Sequence, residues 1–322
     1  GCNSLYMQTC TWGLRTESGH FAPKCPLNQF DFHKSDREDD LIMAVCNTVP
    51  RKKASICELQ QNAAEIRRMV DNMFQNAGGG HYGGCLSEVD VLTALYFRIL
   101  NVDPQNPRWD DRDRFVLSKG HGAGGLYCTL ALAGFFAPER LSTLNQLDSA
   151  FGMHPDMNKV PGADMSTGSL GLGICAAVGM AIAGKLDKKS WRVYSLLGDG
   201  ECHEGVVWEA AMAASHHRLD NLTAIVDRNA LSMDGPTEEV MSLEPFAAKW
   251  EAFGWAVRTI NGHNMREIVD ALEAVPFVPG KPSLIVARTT KGKGISFIEN
   301  RWDCHYASLN PEQGERARKE LA

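Results

Sequence analysis

The sequence predicts an α/β fold: a doubly wound parallel sheet with helices on both faces. Three observations carry this. In the second half, strand-like runs ("WRVYSLL", "NLTAIVD", "AVRTI", "PSLIVART") alternate with helical runs ("GVVWEAAMAASHH", "EPFAAKWEAFG", "NMREIVDALEAV"). The strand runs are continuously apolar, the pattern of strands buried on both faces. The chain has 322 residues, 44% hydrophobic and 22% charged, which is enough apolar material for a large core.

Residues 1–53 read differently from the rest. They hold four of the ten cysteines, show no clear period, and carry the charge run "HKSDREDD". "LIMAVCNTV" follows acids, so it makes a poor signal peptide. We expect a loosely ordered leader, or sequence upstream of a start at Met43. One domain is expected over 54–322. In it, Ile56, Leu59, Ala63, Ile66, Met69, Val70, Met73 and Phe74 recur at helical spacing. Glycines Gly78 to Gly80 stop that helix. "EVDVLTALYFRIL" predicts a second, buried helix. "RFVLSKGHG" predicts a short strand entering a Gly-rich turn, with the helix "GGLYCTLALAG" after it. "LGLGICAAVGMAIAGKL" predicts a helix whose small residues allow close packing.

Composition excludes several classes. The formal charge is −6 and no long basic run occurs, which argues against nucleic-acid or anionic-membrane partners. Apolar windows such as "YCTLALAGFFA" are too short to span a bilayer. The cysteines are scattered with no C-x-x-C pair, and the Cys and His spacing offers no zinc site; a chain this long can build a core without disulfides. Reduced cysteines in a cytoplasmic protein are the expectation.

The chemistry concentrates where strands end. "WRVYSLL" runs into Gly198-Asp199-Gly200-Glu201, and "NLTAIVD" is followed by Asn229. In parallel α/β sheets, ligands bind at the carboxyl ends of the strands. Gly198 and Gly200 let a ligand approach the backbone. A carboxylate, an amide oxygen and a backbone carbonyl suit a hard cation, Mg²⁺ or Ca²⁺, that leaves positions for water and phosphate oxygens. A helix beginning near Glu204 would aim its N-terminus at the same anion. Lys291 also lies just past a strand end. By itself G-D-G is equally a β-turn.

G-D-G followed about thirty residues later by Asn resembles the thiamine-diphosphate motif, and the surroundings narrow the resemblance to the transketolase family. "NAGGGHYGGCLSEVDVLTALYF", "RFVLSKGHGAGGLYCTLALAG", "FGMHPD", "DMSTGSLGLGICAAVGMAIAGKL" and "RTTKGKGISFIENRWDCHYAS" resemble its segments in order, from about Ala54 to Ser308. The resemblance implies a thiamine-diphosphate-binding fold, its diphosphate-binding domain, with thiamine diphosphate and Mg²⁺ as cofactors; Ca²⁺ or Mn²⁺ could substitute. It implies that Asp199 and Asn229 ligate the metal by side chain, and Leu231 by its carbonyl. Gly200 would give its N–H to the diphosphate, with Glu201 beside it among the cofactor-binding residues. Gly168, Ser169 and Leu170 would contact the thiamine. His121 would sit by the diphosphate, His81 and His154 near substrate hydroxyls, and His305 over the reacting carbon. Glu204 matches an acid near the family's subunit interface. Ser169 stands where many transketolases carry Pro, and the flanks of His305 depart from the family pattern. The implied reaction moves a two-carbon ketol unit from a ketose (phosphate) to an aldose (phosphate), with imidazoles moving protons near neutral pH.

The remaining histidines, His20, His33, His203, His216, His217 and His263, read as surface or satisfied core residues. In the family, a second, pyrimidine-binding domain supplies the acid that activates the cofactor. No such domain follows here, so the resemblance is to the N-terminal subunit of a split transketolase. A C-terminal subunit would carry the pyrimidine domain, in an α₂β₂ assembly. The alternatives are a non-catalytic cofactor- or partner-binding module, a deoxyxylulose-phosphate-synthase-like subunit, and a 2-oxo acid dehydrogenase α subunit. The last lacks the "GGGH", "SKGHG" and "MHPD" series present here.

Overall fold

The apolar runs form one sheet within residues 53–322, the part of the chain that the computed structural model describes. The leader expected over residues 1–53, and the start at Met43, lie outside the described residues except for Lys53. The strands are β1 (Arg114–Leu117), β2 (Val193–Gly198), β3 (Leu222–Arg228), β4 (Ala256–Asn261) and β5 (Ser283–Arg288). They lie in the order β1-β2-β3-β5-β4, each pair parallel. This is the predicted fold class.

Side-chain alternation divides each buried strand between two cores. In β2, Tyr194 and Leu196 enter one core, and Val193 and Leu197 the other. In β5, Ile285 and Ala287 face the first, Leu284 and Val286 the second. Continuous apolar runs are the consequence. Edge strand β4 departs from this, leaving Arg258, Thr259 and Asn261 exposed. Polar side chains blunt an edge against pairing with other chains.

The first core is covered by α1 (Ile56–Ala77), α2 (Tyr82–Ser87), α3 (Val89–Ala94), α4 (Ala123–Ala133) and, further along, α9 (Met265–Glu273). The second is covered by α5 (Leu172–Leu186), α6 (Gly205–His216) and α8 (Phe246–Ala252), the last following the short α7 (Thr237–Val240). The start of α1 is fixed by a capping box: Glu58 N–H donates to Ser55 Oγ at 3.3 Å, and Ser55 N–H to Glu58 Oε2 at 2.7 Å. Such a cap contributes about 1 kcal/mol. Gly78, at φ +79°, ends the helix in the left-handed region.

Two elements differ from expectation. "EVDVLTALYFRIL" is not one helix: α3 passes into a π-helical turn over Leu95–Ile99, and Glu88 separates it from α2. A further helix, α10 (Pro311–Glu320), follows the last strand. Among the described residues, no helix is long and apolar enough to cross a membrane.

Candidate functional site

β2 and β3 run side by side with Gly198 opposite Asp227. The residues just past them therefore meet, at the floor of a cavity of about 440 Å³. Asp199, Gly200, Glu201, Asn229 and Leu231 line this floor. His81, His121, His154 and His305 line the rest, together with Gly168 and Leu170. The structure thus brings together every residue singled out in the sequence except Ser169, which does not line the cavity. A larger cavity, about 540 Å³, opens between the 106–112 and 157–164 loops. It holds none of these groups, and its Arg112 and Asp164 are paired with each other at 2.5 Å.

Asp199 caps the short 3₁₀ turn Gly200–His203 and is 2% exposed. Its Oδ1 accepts from Gly200 N–H at 2.8 Å, and its Oδ2 from Ala230 N–H at 2.6 Å and Arg228 Nη1 at 3.1 Å. Gly200 N–H, expected at the diphosphate, is here engaged by Asp199. Burial, then the nearby Asp227 carboxylate, push Asp199 above the usual carboxylate range, and Arg228 opposes them. Asn229 Oδ1 accepts from Leu231 N–H at 3.1 Å. Between them Ala230 takes the left-handed φ of +65°.

The Lys291 ammonium lies against this set, 3.1 Å from the Leu231 carbonyl oxygen and 2.9 Å from that of Ser232. It is a cation resting on backbone carbonyls beside a buried carboxylate. That donor chemistry, one carboxylate, one amide oxygen and one carbonyl, fits a hard divalent cation. It is no thiolate- or imidazole-rich site: among the described residues no three His, Cys, Asp or Glu side chains are grouped to hold a metal. Burial, with Lys119 adding to it, lowers Lys291 to about 8.

Glu201 lines the cavity and also braces its floor. Its Oε1 accepts from Ser118 Oγ at 2.5 Å and Gly171 N–H at 2.8 Å, and its Oε2 from Gly198 N–H at 3.0 Å. Both oxygens tie the end of β1, the start of α5 and the end of β2 together.

Lys119 of "SKGHG" is 1% exposed. Its ammonium reaches across the end of β2 to Asp227 Oδ2 at 2.5 Å and the Gly84 carbonyl at 2.8 Å. Ser87 Oγ donates to the same Asp227 oxygen at 2.6 Å, and Thr289 Oγ1 to the other. Glu88 Oε2 stands 3.0 Å from the Lys119 ammonium. Burial raises Glu88 to about 8 despite that neighbour. Burial also opposes the charge on Asp227, but Lys119 and its hydrogen bonds hold it below the usual range. Nothing in the local sequence marks Lys119, Asp227 or Glu88 for a role; together they lock the ends of β1 and β3 beneath the cavity.

The histidines come from loops. Glycine at position 120 allows the close approach: a Cβ there would lie 2.7 Å from Gly168 N and 2.8 Å from the Thr167 carbonyl carbon. His154 is held by Tyr127, whose hydroxyl donates to the His154 carbonyl at 2.9 Å. The segments carrying His81 and His305 are joined by an isolated antiparallel bridge between Gly80 and Ala307, with Gly80 N–H to Ala307 O at 3.0 Å and Ala307 N–H to Gly80 O at 2.9 Å. Ring centroids are 5.5 Å apart for His81–His305, 5.6 Å for His81–His121, 6.3 Å for His81–His154 and 4.8 Å for His121–His305. Lys291 Nζ is 3.1 Å from His305 Nδ1. Burial lowers His81 to about 4, helped by His154 and Lys291. Burial and Lys291 lower His305 to about 3. Burial, then Lys119, lower His121 well below the ordinary value. At neutral pH these three rings are uncharged, each offering one N–H and one lone pair.

His203 also lines the cavity, with Nε2 at 2.8 Å from the Met241 carbonyl. His216 and His217 meet edge to face, with ring centroids 5.0 Å apart. His20 and His33 lie outside the described residues.

Comparison with known proteins gives these groups a setting. The sequence pattern of the transketolase, thiamine diphosphate binding domain matches residues 59–322. SqwG, a 6-deoxy-6-sulfo-D-fructose transketolase subunit of a Clostridium species, is 48% identical over 264 residues, covering 82% of this chain and 96% of the relative. One subunit of the apulose-4-phosphate transketolase of Phocaeicola vulgatus is 45% identical over 262 residues, covering 81% and 92%. Human transketolase is 41% identical over 264 residues, covering 82% of this chain and 42% of its own. The crystal structure of Campylobacter jejuni transketolase superposes with a TM-score of 0.78 at 36% identity, covering 83% of this chain and 43% of that one. The chain thus spans less than half of these longer transketolases and nearly all of the relatives called subunits.

Proposed function

The chain belongs to the transketolase family through its thiamine diphosphate-binding domain, and on that premise we propose that it is the diphosphate-binding subunit of a split transketolase. It would move a two-carbon ketol unit from a ketose or its phosphate to an aldose or its phosphate, with a separate chain carrying the pyrimidine domain. The observation that carries this is one cavity joining a hard-cation donor set, Asp199, Asn229 and the Leu231 carbonyl, to a group of histidines.

Asp199 and Asn229 side chains and the Leu231 carbonyl would hold Mg²⁺. Lys291 would face the diphosphate as a point charge. Gly168, Ser169 and Leu170 would flank the thiamine, with Gly168 and Leu170 lining the cavity and Ser169 between them exposed. Thiamine diphosphate, when bound, supplies the electron sink that lets a carbon–carbon bond beside a carbonyl break. His81, His154 and His305 would hold and move protons at the sugar hydroxyls. The uncharged rings of His81 and His305 suit that task, because each can donate at one nitrogen and accept at the other.

The partner reading has its own support. α5 and α6 are apolar around much of their circumference, as helices buried on all sides are. Yet Leu172 is 52% exposed and Met212 54%, and at the cavity rim Met233 is 65% exposed and Val240 45%. Apolar side chains left open beside a site fit a second chain covering them. An α₂β₂ assembly would place Glu204, at the start of α6, near such an interface.

Co-expression with a pyrimidine-domain chain tests the proposal. Ketol transfer should require both chains, thiamine diphosphate and Mg²⁺. Robust turnover by this chain alone would overturn the split reading. Asp199→Ala should weaken Mg²⁺-dependent cofactor binding by more than about tenfold, since even groups behind metal ligands are worth that much. Unchanged binding in that variant would overturn the metal assignment.

A further inference from the structure

His263 lies outside the cavity, yet its ring is tied to the turn that carries Lys291. Thr290 N–H donates to His263 Nε2 at 2.8 Å. A backbone N–H can only donate, so Nε2 carries the lone pair and Nδ1 the proton. Nδ1 then donates to Asp90 Oδ2 at 2.7 Å. Asp90 is gripped from α1 by Arg67, with Nη1 at 3.2 Å and Nη2 at 2.6 Å. Burial works against the Asp90 charge, but the His263 and Arg67 contacts hold the carboxyl below the usual range. It is a fixed anion that fixes the imidazole in turn.

The turn on the other side of this chain of bonds is tied on both sides of Thr290: Thr289 Oγ1 donates to Asp227, and Asn300 N–H donates to the Lys291 carbonyl at 3.0 Å. Thr289 N–H donates to the Arg228 carbonyl at 3.2 Å and Gly292 N–H to the Gly83 carbonyl at 2.9 Å. Between them the His263 bond restrains the Thr290 amide directly before Lys291. The Lys291 ammonium needs that placement to reach the Leu231 and Ser232 carbonyls and His305.

We propose that Arg67, Asp90 and His263 form a clamp that positions Lys291 in the cavity, with His263 as a positioning residue for diphosphate binding. The arrangement is a carboxylate–imidazole pair that ends on a backbone amide instead of a nucleophile. It orients another group and performs no proton transfer of its own. The role toward diphosphate rests on the cofactor-site reading above; the clamp itself does not.

Two measurements separate these. Amide hydrogen exchange over residues 289–294 of the full chain reads the clamp. His263→Ala should exchange faster there, and His263→Gln, which keeps an acceptor, should restore much of the protection. Unchanged exchange in His263→Ala overturns the clamp. Calorimetric titration of thiamine diphosphate with Mg²⁺ into the two-chain complex reads the function. His263→Ala should lose about tenfold in affinity, the scale of one lost hydrogen bond that leaves a polar group unpaired, with kcat at saturating cofactor falling far less. In the Lys291→Met background, the same change should cost little more, because both act through one ammonium. Faster exchange with unchanged affinity overturns the link to the cofactor, and a full additional loss in the Lys291→Met background overturns Lys291 as its route. Unchanged affinity in Lys291→Met alone overturns Lys291 as a diphosphate contact and with it the clamp's role toward the cofactor, leaving the clamp itself to be judged by exchange and the cofactor site by Asp199→Ala.

Discussion

The two ends of the cavity are built differently. At the cation end, Asp199, Asn229 and Leu231 follow directly on β2 and β3, whose parallel register puts Gly198 opposite Asp227. Their spacing in the sheet is that of the strands, so short sequence motifs specify the geometry. At the histidine end, His81, His121, His154 and His305 ride on separate loops. Among their ties are a two-bond bridge between Gly80 and Ala307, a hydrogen bond from Tyr127, the glycine contact at position 120 and the Lys291–His305 contact. The first end is as rigid as the sheet; the second is as rigid as its ties.

The largest effect should come from breaking what the two ends share. Lys119→Met leaves Asp227 buried without its cation, which costs about 3–5 kcal/mol for a broken buried pair. Urea unfolding of the described domain would show it. Adding Asp227→Asn should recover part of the loss, because no unpaired buried charge then remains. A Lys119→Met variant as stable as the parent would mean that the buried cluster does not hold the floor.

Next comes a change aimed at the loops. Gly120→Ala drives a Cβ into backbone atoms of Thr167 and Gly168, which cannot swing aside as a side-chain end would. Overpacking of this kind costs about 1–3 kcal/mol. It should also part the His121 turn from the 168–170 segment, so cofactor affinity should fall with the melting temperature. If stability drops while affinity holds, the contact is structural only.

The same contrast explains what is legible in the sequence. The strands, their parallel order of appearance and the cation-end residues follow from continuous apolar runs and what immediately succeeds them. Lys119 and Asp227 do not: a lone Lys in "SKGHG" and a lone Asp closing "LTAIVD" become partners only when the sheet puts the end of β1 near that of β3. Glu88 and Asp90 look like ordinary helix positions, but both are buried acids whose neighbours, Lys119 for one and Arg67 and His263 for the other, lie far off in sequence. The four cavity histidines are legible only through resemblance, since no local spacing joins them. α10 does carry a local signal. Asn310 caps it, Pro311 opens it, and Gln313 completes a capping box at 2.9 and 3.0 Å; its few apolar residues leave no helical period to notice.

A pH titration sharpens the histidine end specifically. His81 is lowered from the ordinary 6.5 to about 4, and His305 to about 3. Below pH 6.5 the unfolded chain therefore binds protons that the folded chain refuses. Stability rises with pH wherever the unfolded state holds more protons, so stability is lost as pH falls through this window. Thermal melts from pH 7 to pH 4 should show that slope, and His81→Asn or His305→Asn should flatten it. An unchanged slope in both variants would mean that other groups dominate acid sensitivity. Asp199 and Glu201, raised by burial, act in the opposite sense and are untouched by these substitutions.

The smallest change tests the rigidity claimed for the cation end. Ala230 sits at φ +65° between Asn229 and Leu231, a conformation that costs an L residue about 1–2 kcal/mol. Its N–H is held by Asp199 Oδ2 at 2.6 Å, so the strain is borne by the same carboxylate proposed to meet the metal. Ala230→Gly removes the strain in the folded state but gives the unfolded chain more freedom. The two effects oppose, and stability should shift by less than about 1 kcal/mol. Cofactor affinity should hold as well, because the turn is dictated by β2, β3 and the Asp199 contact and not by the alanine side chain. A marked loss of Mg²⁺-dependent binding in Ala230→Gly would mean that the strained residue itself holds the donor set in place, and that the cation end is less a property of the sheet than its register suggests.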